Sequence, residues 1–210
     1  PIPVLNVTSE EIRPGGAGSV ANNLAELGAN ICCYGVIGND NDGKLLLDDL
    51  NGIGVETDGI IEVSDRPTTV KVRMMGHLQS AGKGIQQLLR IDYEKTDDIE
   101  EKIQDEIVNK IESKVQHVDI ILISDMNKGV LSTRILDTVI RLGKDHKVPV
   151  IVDPRLSNDY TIYKGATAIT PNRFETKLST GIKITDINSM KSAGRKLLEE
   201  SLFECVIITA

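Results

Sequence analysis

Chemistry in this 210-residue chain collects where glycine turns and strand ends meet short polar side chains. The first such place is Arg13-Pro-Gly-Gly-Ala-Gly-Ser-Val-Ala-Asn-Asn. Gly15, Gly16 and Gly18 let the backbone approach a ligand or a neighbouring element without a Cβ in the way. A helix opening at Ala17 leaves its first N–H groups unpaired at the positive end of its dipole, which suits anions or hydroxyl-rich ligands. Ser19, Asn22 and Asn23 add short polar groups near that entrance. Close packing of helix on sheet explains the glycines equally well. The spacing does not fit the Gly-x-Gly-x-x-Gly dinucleotide turn, and no Gly-Lys-Ser/Thr follows to make a Walker loop.

Further along, three apolar runs end in polar residues: Ile123-Ser-Asp125, Val152-Asp153-Pro and Thr170-Pro-Asn172. Ligands of open parallel sheets bind outside the carboxyl ends of the strands, so three such endings in order point to one site. Solvated strand ends are also polar as a rule. Met-Asn-Lys128-Gly129 follows the first ending and sets a cation beside a turn. Asn172-Arg173-Phe174-Glu175 follows the third, with Asn and Glu three apart and hence on one face of a helix's first turn. That pair suits ordering of the water ligands of Mg²⁺ beside phosphates. It equally suits a helix cap, with Asn172 at N-cap and Glu175 at N3. Spacing leaves both open.

The elements that position these residues follow from periodicity. Small and apolar residues from Ala17 to Leu27 recur at helical spacing, and Gly28 is placed to stop that helix. Asn30–Ile37 reads as a strand and Asp40–Gly52 as a helix. Gly59–Val63, Thr68–Met75 and Ile85–Tyr93 then read as three strands in succession, a small accessory sheet inserted in a helix–strand alternation. Val70, Val72 and Met74 share one face, Lys71 and Arg73 the other. Ser80–Gly84 is a turn, and Pro1–Val7 an edge strand or lid segment. From Asp97 the alternation resumes. Asp97 and Glu100 form an expected capping box, and Ile99, Ile103, Ile107 and Ile111 a stripe. Val118–Ser124, Val148–Val152, Ala166–Thr170 and Cys205–Thr209 are buried parallel strands. Helices lie between them: one capped by Ser132, one at Arg173–Ser179 and one at Asp186–Glu200.

Composition bounds the class. The length fits one α/β domain with a small appendage. Lys and Arg number 24 against 31 Asp and Glu, a net charge of −7, which argues against non-specific nucleic-acid binding. No apolar run is long enough to cross a membrane, and no signal peptide is visible. Cys32, Cys33 and Cys205 lie in apolar runs without metal-ligand spacing and read as reduced core residues of a cytoplasmic protein. His77, His117 and His146 are isolated and read as surface residues.

Together these motifs resemble the ribokinase-like (PfkB) carbohydrate kinases. The order Gly-Gly-x-x-x-x-Ala, β-rich insertion, Ser-Asp-x-x-Lys-Gly, Val-Asp-Pro and Thr-Pro-Asn-x-x-Glu is that family's. Arg13-Pro-Gly-Gly-Ala, Pro67-Thr-Thr-Val-Lys-Val-Arg73, Gln86-Gln-Leu-Leu-Arg-Ile-Asp92, Ser124-Asp-Met-Asn-Lys-Gly129 and Thr170-Pro-Asn172 are most similar to the kinases of ADP-heptose synthesis. Those enzymes phosphorylate C1 of D-glycero-D-manno-heptose 7-phosphate. The resemblance implies a three-layer αβα fold with a mainly parallel central sheet and a β-sheet lid through which two copies pair as a homodimer. It implies ATP and Mg²⁺, with a sugar phosphate as the other substrate. Gly15, Gly16, Ser19, Asn23, Lys71, Arg73, Arg90, Asp125 and Lys128 then fall on the sugar side. Asn172, Arg173, Phe174 and Glu175 fall on the nucleotide side, with Glu175 and Asp153 toward the metal through water.

The chain also departs from the family. Ser19 stands where the family usually has an Asn that touches sugar hydroxyls, and the Ser80–Gly84 segment is longer. The resemblance further implies an incomplete kinase domain. Its lid comes from about 1–14 and 57–95 and its core from about 15–56 and 96–210. The family's first strand is not among these residues. Its Gly-Ala-Gly-Asp segment, which supplies an anion hole and the catalytic base, is expected beyond Ala210. The 1–210 segment alone is therefore expected to be inactive. An unphosphorylated sugar or a nucleoside is the rival acceptor, and a catalytically silent binding module is the rival class.

Overall fold

The computed structural model describes residues 6–77 and 84–209. Most of the Pro1–Val7 and Ser80–Gly84 expectations therefore lie outside the described residues. So does Ala210, and with it the expectation that the catalytic base follows that residue. Among those described, Asn6 and Val7 belong to no strand.

Helix α1 spans Ala17–Glu26 behind the glycine turn, with Gly16 at φ 50° as its N-cap. It stops where expected: Gly28 adopts φ 85°, and Ala29 N–H donates back to the Leu24 carbonyl at 3.0 Å. Strand β1 (Cys32–Gly38) leads into α2 (Asn41–Gly52), whose cap Asp40 accepts from Gly43 N–H at 2.8 Å. Strand β2 (Glu56–Val63) then lies parallel to β1, with α2 as the crossover that a parallel pair needs. This differs from a three-stranded accessory sheet. Ile61 and Val63 are buried and pack inward, so β2 belongs to the core.

The lid is the antiparallel ribbon of β3 (Val70–His77) and β4 (Ile85–Tyr93). Pairing sets Val70 against Tyr93, Val72 against Ile91 and Met74 against Leu89 on one face. Lys71 opposes Asp92, and Arg73 opposes Arg90, on the other.

The rest of the chain builds a second parallel sheet in the order β5 (Ile121–Ser124), β6 (Val150–Asp153), β7 (Ala168–Ile169), β8 (Cys205–Val206). Helices α3 (Glu101–Lys114), α4 (Thr133–His146), α5 (Arg173–Thr180) and α6 (Ile187–Ser201) connect the strands. Ile123, Val152 and Ile169 point into one core with Ile135, Leu136, Tyr163 and Leu197, and Ile61 and Val63 join it from the first sheet. Each such fully buried branched side chain contributes roughly 1.5–3 kcal/mol. The opposite face aligns Leu122, Ile151, Ala168 and Cys205 across the four strands. Leu122 and Cys205 are exposed there, so Cys205 is not the core residue expected.

Two local expectations need correction. Asp97 and Glu100 form no capping box, since Glu100 caps α3 without a side-chain bond. Gln104 stabilises that end instead, donating to the Ile99 carbonyl at 2.8 Å and accepting from Ser132 Oγ at 2.7 Å. Leu27, placed on the apolar side of α1, is exposed.

Candidate functional site

Parallel pairing brings the three polar strand endings side by side. Asp125 N–H donates to the Asp153 carbonyl at 2.9 Å, and Thr170 N–H to the Val152 carbonyl at 2.9 Å. The exits of β5, β6 and β7 therefore form one row, and the other predicted groups arrange around it.

The glycine turn adjoins the β5 end of the row, because a Cβ on Gly16 would meet Met126 Cγ at 3.5 Å. Among the described residues no side chain caps α1, and no acidic residue sits in its first turn, so its positive end is uncompensated from within the helix. Ser19 is half-buried at that end; Asn23 is exposed one turn on.

Asp125 turns inward. It is 3% exposed, with Oδ2 accepting from Tyr163 Oη at 2.7 Å and Oδ1 from Asn127 N–H at 2.8 Å. Burial together with this bond to a carboxylate pushes the Tyr163 phenol far above its ordinary pKa. The Asp125 carboxylate is thus spent on shaping the loop that carries Asn127 (φ 54°) and Lys128.

Lys128 reaches the lid. Its Nζ donates to Glu94 Oε1 at 2.7 Å, while Lys71 donates to Glu94 Oε2 at 2.8 Å and to Asp92 Oδ2 at 2.9 Å. Arg90 pairs with Asp92 at 2.9 Å. The polar face of the ribbon is therefore the one joined to the strand exits. On it, Arg73 and Arg90 lie directly opposite each other, a placement that costs stability when two like charges meet across a pair of strands. Behind the loop, Arg66 is buried and donates to the carbonyls of Lys128 at 3.0 Å and Asp97 at 2.7 Å.

At the far end of the row, Asn172 and Glu175 form a complete capping box on α5. Glu175 Oε2 accepts from Asn172 N–H at 2.8 Å, and Asn172 Oδ1 from Glu175 N–H at 2.9 Å. Glu175 Oε1 and the Asn172 amide nitrogen hold no protein partner among the described residues, so the cap leaves room for a second role. Arg173 and Phe174 are exposed beside them. Asp153 ends β6, and desolvation pushes its carboxyl pKa up against an opposing hydrogen bond from Thr170. Tyr160, buried with an unpartnered hydroxyl among the described residues, has its pKa raised by burial and by the Glu175 and Asp153 carboxylates. Both carboxylates thus act on the Tyr160 phenol. Among the described residues no three His, Cys, Asp or Glu side chains cluster as a metal site. Mg²⁺ bound mainly by phosphates and waters needs only one or two carboxylates, and Glu175 with Asp153 fits that demand.

Sequence reasoning missed Arg66, Glu94, Arg155 and Tyr163. Each has at least one side-chain hydrogen bond to a residue 28 or more positions away along the chain, so no local motif marks them.

The model of the pfkB family carbohydrate kinases matches residues 2–210. The bifunctional protein HldE of Geobacter metallireducens is 41% identical over 209 residues, and that of Wolinella succinogenes 38%. The match takes in 100% of this chain but 41% and 42% of those proteins, so the chain spans about two-fifths of the relatives' length. Arabidopsis thaliana ribokinase, solved with ribose and ATP, superposes with a TM-score of 0.66 at 22% identity, covering 91% of this chain and 58% of that one. Escherichia coli phosphofructokinase-2 does so with 0.70 at 18%, covering 99% and 65%. With a ribokinase-like fold and a family match along nearly its whole length, the chain belongs to the pfkB family of carbohydrate kinases.

Proposed function

We propose that this chain works in an ATP-dependent kinase whose acceptor is a phosphorylated sugar, with the C1 hydroxyl of a heptose 7-phosphate as the reacting group. The observation that carries an anionic acceptor is the Arg73–Arg90 opposition on the face of the lid joined to the β5 exit. Arg90 pairs with Asp92 through Nε, and an anion reached by the rest of its guanidinium and by Arg73 would relieve the opposition; a phosphate matches that fork geometry. The resemblance of the chain's motifs to the kinases of ADP-heptose synthesis supports a heptose substrate.

In this reading the N–H groups opening α1, with Ser19 and Asn23, hold sugar hydroxyls. The Asp125-braced loop presents Lys128, and the Glu94 latch keeps the lid over the acceptor. Asn172 to Glu175 hold the nucleotide phosphates. Glu175 and Asp153 would hold Mg²⁺ through its waters, and the ion would offset charge on the phosphates. Transfer then depends on alignment and charge stabilisation, with little covalent chemistry from the protein. No general base is assigned within 1–210, and the proposal keeps it beyond Ala210. Asp125 is enclosed, so turnover by this segment alone would make Asp153 the first suspect. Lids pair through Val72, Met74, Leu89 and Tyr93, of which Leu89 and Tyr93 are about half exposed, giving a homodimer. An ATP donor is consistent with a reaction in the cytoplasm.

The test is an acceptor panel with the full-length protein: heptose and hexose sugars, each with and without a terminal phosphate, plus nucleosides. The proposal requires kcat/KM to be at least about a hundredfold higher with the phosphate, the scale of one lost charged contact. Equal rates with the free sugar would move the assignment to an unphosphorylated acceptor.

A further inference from the structure

The β6 exit lies between the two halves of the site, and its cation has no role in the reading above. Neighbouring strands sit about 4.8 Å apart, so the β6 exit separates the acceptor side at β5 from the donor side at β7 by one strand on each flank. A phosphoryl group passing between them crosses that middle position. The residue there is Arg155, two beyond Asp153.

Arg155 is held on a built support. Its backbone N–H donates to Tyr163 Oη at 3.2 Å, and the same hydroxyl donates to Asp125 Oδ2. Its Nη1 donates to Asn127 Oδ1 at 3.2 Å and stands 4.0 Å from Asp125 Oδ2. One buried tyrosine thus locks the β5 exit to the β6 exit and fixes the start of the arginine. Nε and Nη2 have no partner among the described residues, and the side chain is 30% exposed. Asp125 has a hydrogen-bond partner on each oxygen, and Arg155 meets it through Nη1 alone, so the ion pair leaves the other donors of the fork unused.

We propose that Arg155 is a catalytic residue that contacts the γ-phosphoryl group during transfer, using the donors that its support leaves free. The guanidinium fork matches two oxygens of a phosphoryl group, and charge placed on that group counts most as transfer proceeds. The inference rests on the kinase reading and on the donor lying at β7, but not on the identity of the acceptor.

The experiment uses the full-length protein with Arg155→Met and Arg155→Lys. Affinities for ADP and for the β,γ-imido analogue of ATP are measured by calorimetry, alongside turnover on whichever acceptor the wild type uses best. Arg155→Met should bind ADP like the wild type and lose the extra affinity that the third phosphate brings. Its kcat should fall about a hundredfold or more. Arg155→Lys should recover analogue affinity in part while turnover stays at least about tenfold down, because a point charge lacks the fork. Unchanged analogue affinity with turnover within about threefold in the methionine variant overturns the proposal and leaves Arg155 as a brace for Asn127. Should the methionine variant not fold, wild-type turnover in Arg155→Lys overturns it equally. A wild type that binds neither nucleotide sinks the kinase reading and this proposal together, whereas a wild type that prefers the analogue with both variants unaffected sinks this one alone.

Discussion

Lys128 and Glu94 meet at 2.7 Å across 34 residues of sequence, and the other oxygen of the same carboxylate takes Lys71. One side chain at the foot of the lid therefore holds a lysine of the lid and a lysine of the β5 loop. Glu94→Gln keeps the shape but gives one lysine an NH₂ group to face. The expected result is a rise of about three- to tenfold in the acceptor KM with a smaller change in kcat, because positioning is lost before chemistry. Lys128 and then Lys71 hold Glu94 below its ordinary carboxylate pKa. The latch is thus complete above the unfolded value of about 4.3 and is lost only as pH falls through the lower folded value. An acceptor KM that climbs between about pH 7 and 5.5 in the wild type, and not in the variant, would contradict this.

Gly129 offers a second test of the same joint. It adopts φ 73°, its carbonyl accepts from Ile99 N–H at 2.9 Å, and a Cβ there would collide with the Asp97 carbonyl. Gly129→Ala should cost at least about 2 kcal/mol, since strain and a backbone clash act together. Chemical denaturation reads this directly, and a loss under half of that would mean that the loop can shift away from Asp97.

Much of this arrangement was legible in the sequence where its causes are local. The α1 glycine turn, the Gly28 stop, the Ser132 and Asn172 caps and the β5, β6 and β7 strands all follow from short-range periodicity and capping. Where a partner lies far off, the reading fails. Strand β2 looked like a lid strand because three β segments occur in succession, yet its parallel partner β1 lies beyond α2. Nothing near Asp125 in sequence announces its bond to Tyr163, 38 positions on. Asp97 and Glu100 had the spacing of a capping box, but Gln104 and Ser132 took over that helix end.

Asp153 separates function from stability. Desolvation raises its carboxyl pKa in the folded state, so its charged form is disfavoured there and its contribution to stability falls as pH rises from the unfolded value of about 3.9 through the raised folded value. Asp153→Asn removes that penalty. The variant should melt no lower than the wild type at about pH 7, and the difference should shrink in acid, while turnover falls at least about tenfold if the carboxylate serves the metal. Loss of stability at neutral pH would show that the charge is needed by the fold instead.

Glu175 is the sharpest case, because the structure contains its structural role in full. Its Oε2 and the Asn172 side chain close a capping box on α5, and its Oε1 has no partner among the described residues. Glu175→Gln retains an oxygen for the Asn172 N–H, so the cap survives and stability should drop by well under the roughly 1 kcal/mol typical of removing a cap. A role confined to the cap would leave turnover intact as well. A role toward Mg²⁺ would not, since a neutral amide holds the ion and its waters less well than a carboxylate. Turnover should then fall about tenfold or more, equivalent to roughly 1.4 kcal/mol, with part of the loss recovered at high Mg²⁺ and the melting temperature nearly constant. Titrating Mg²⁺ against turnover in both proteins decides between them. Coincident curves would make Glu175 a cap alone and move the nucleotide away from the start of α5.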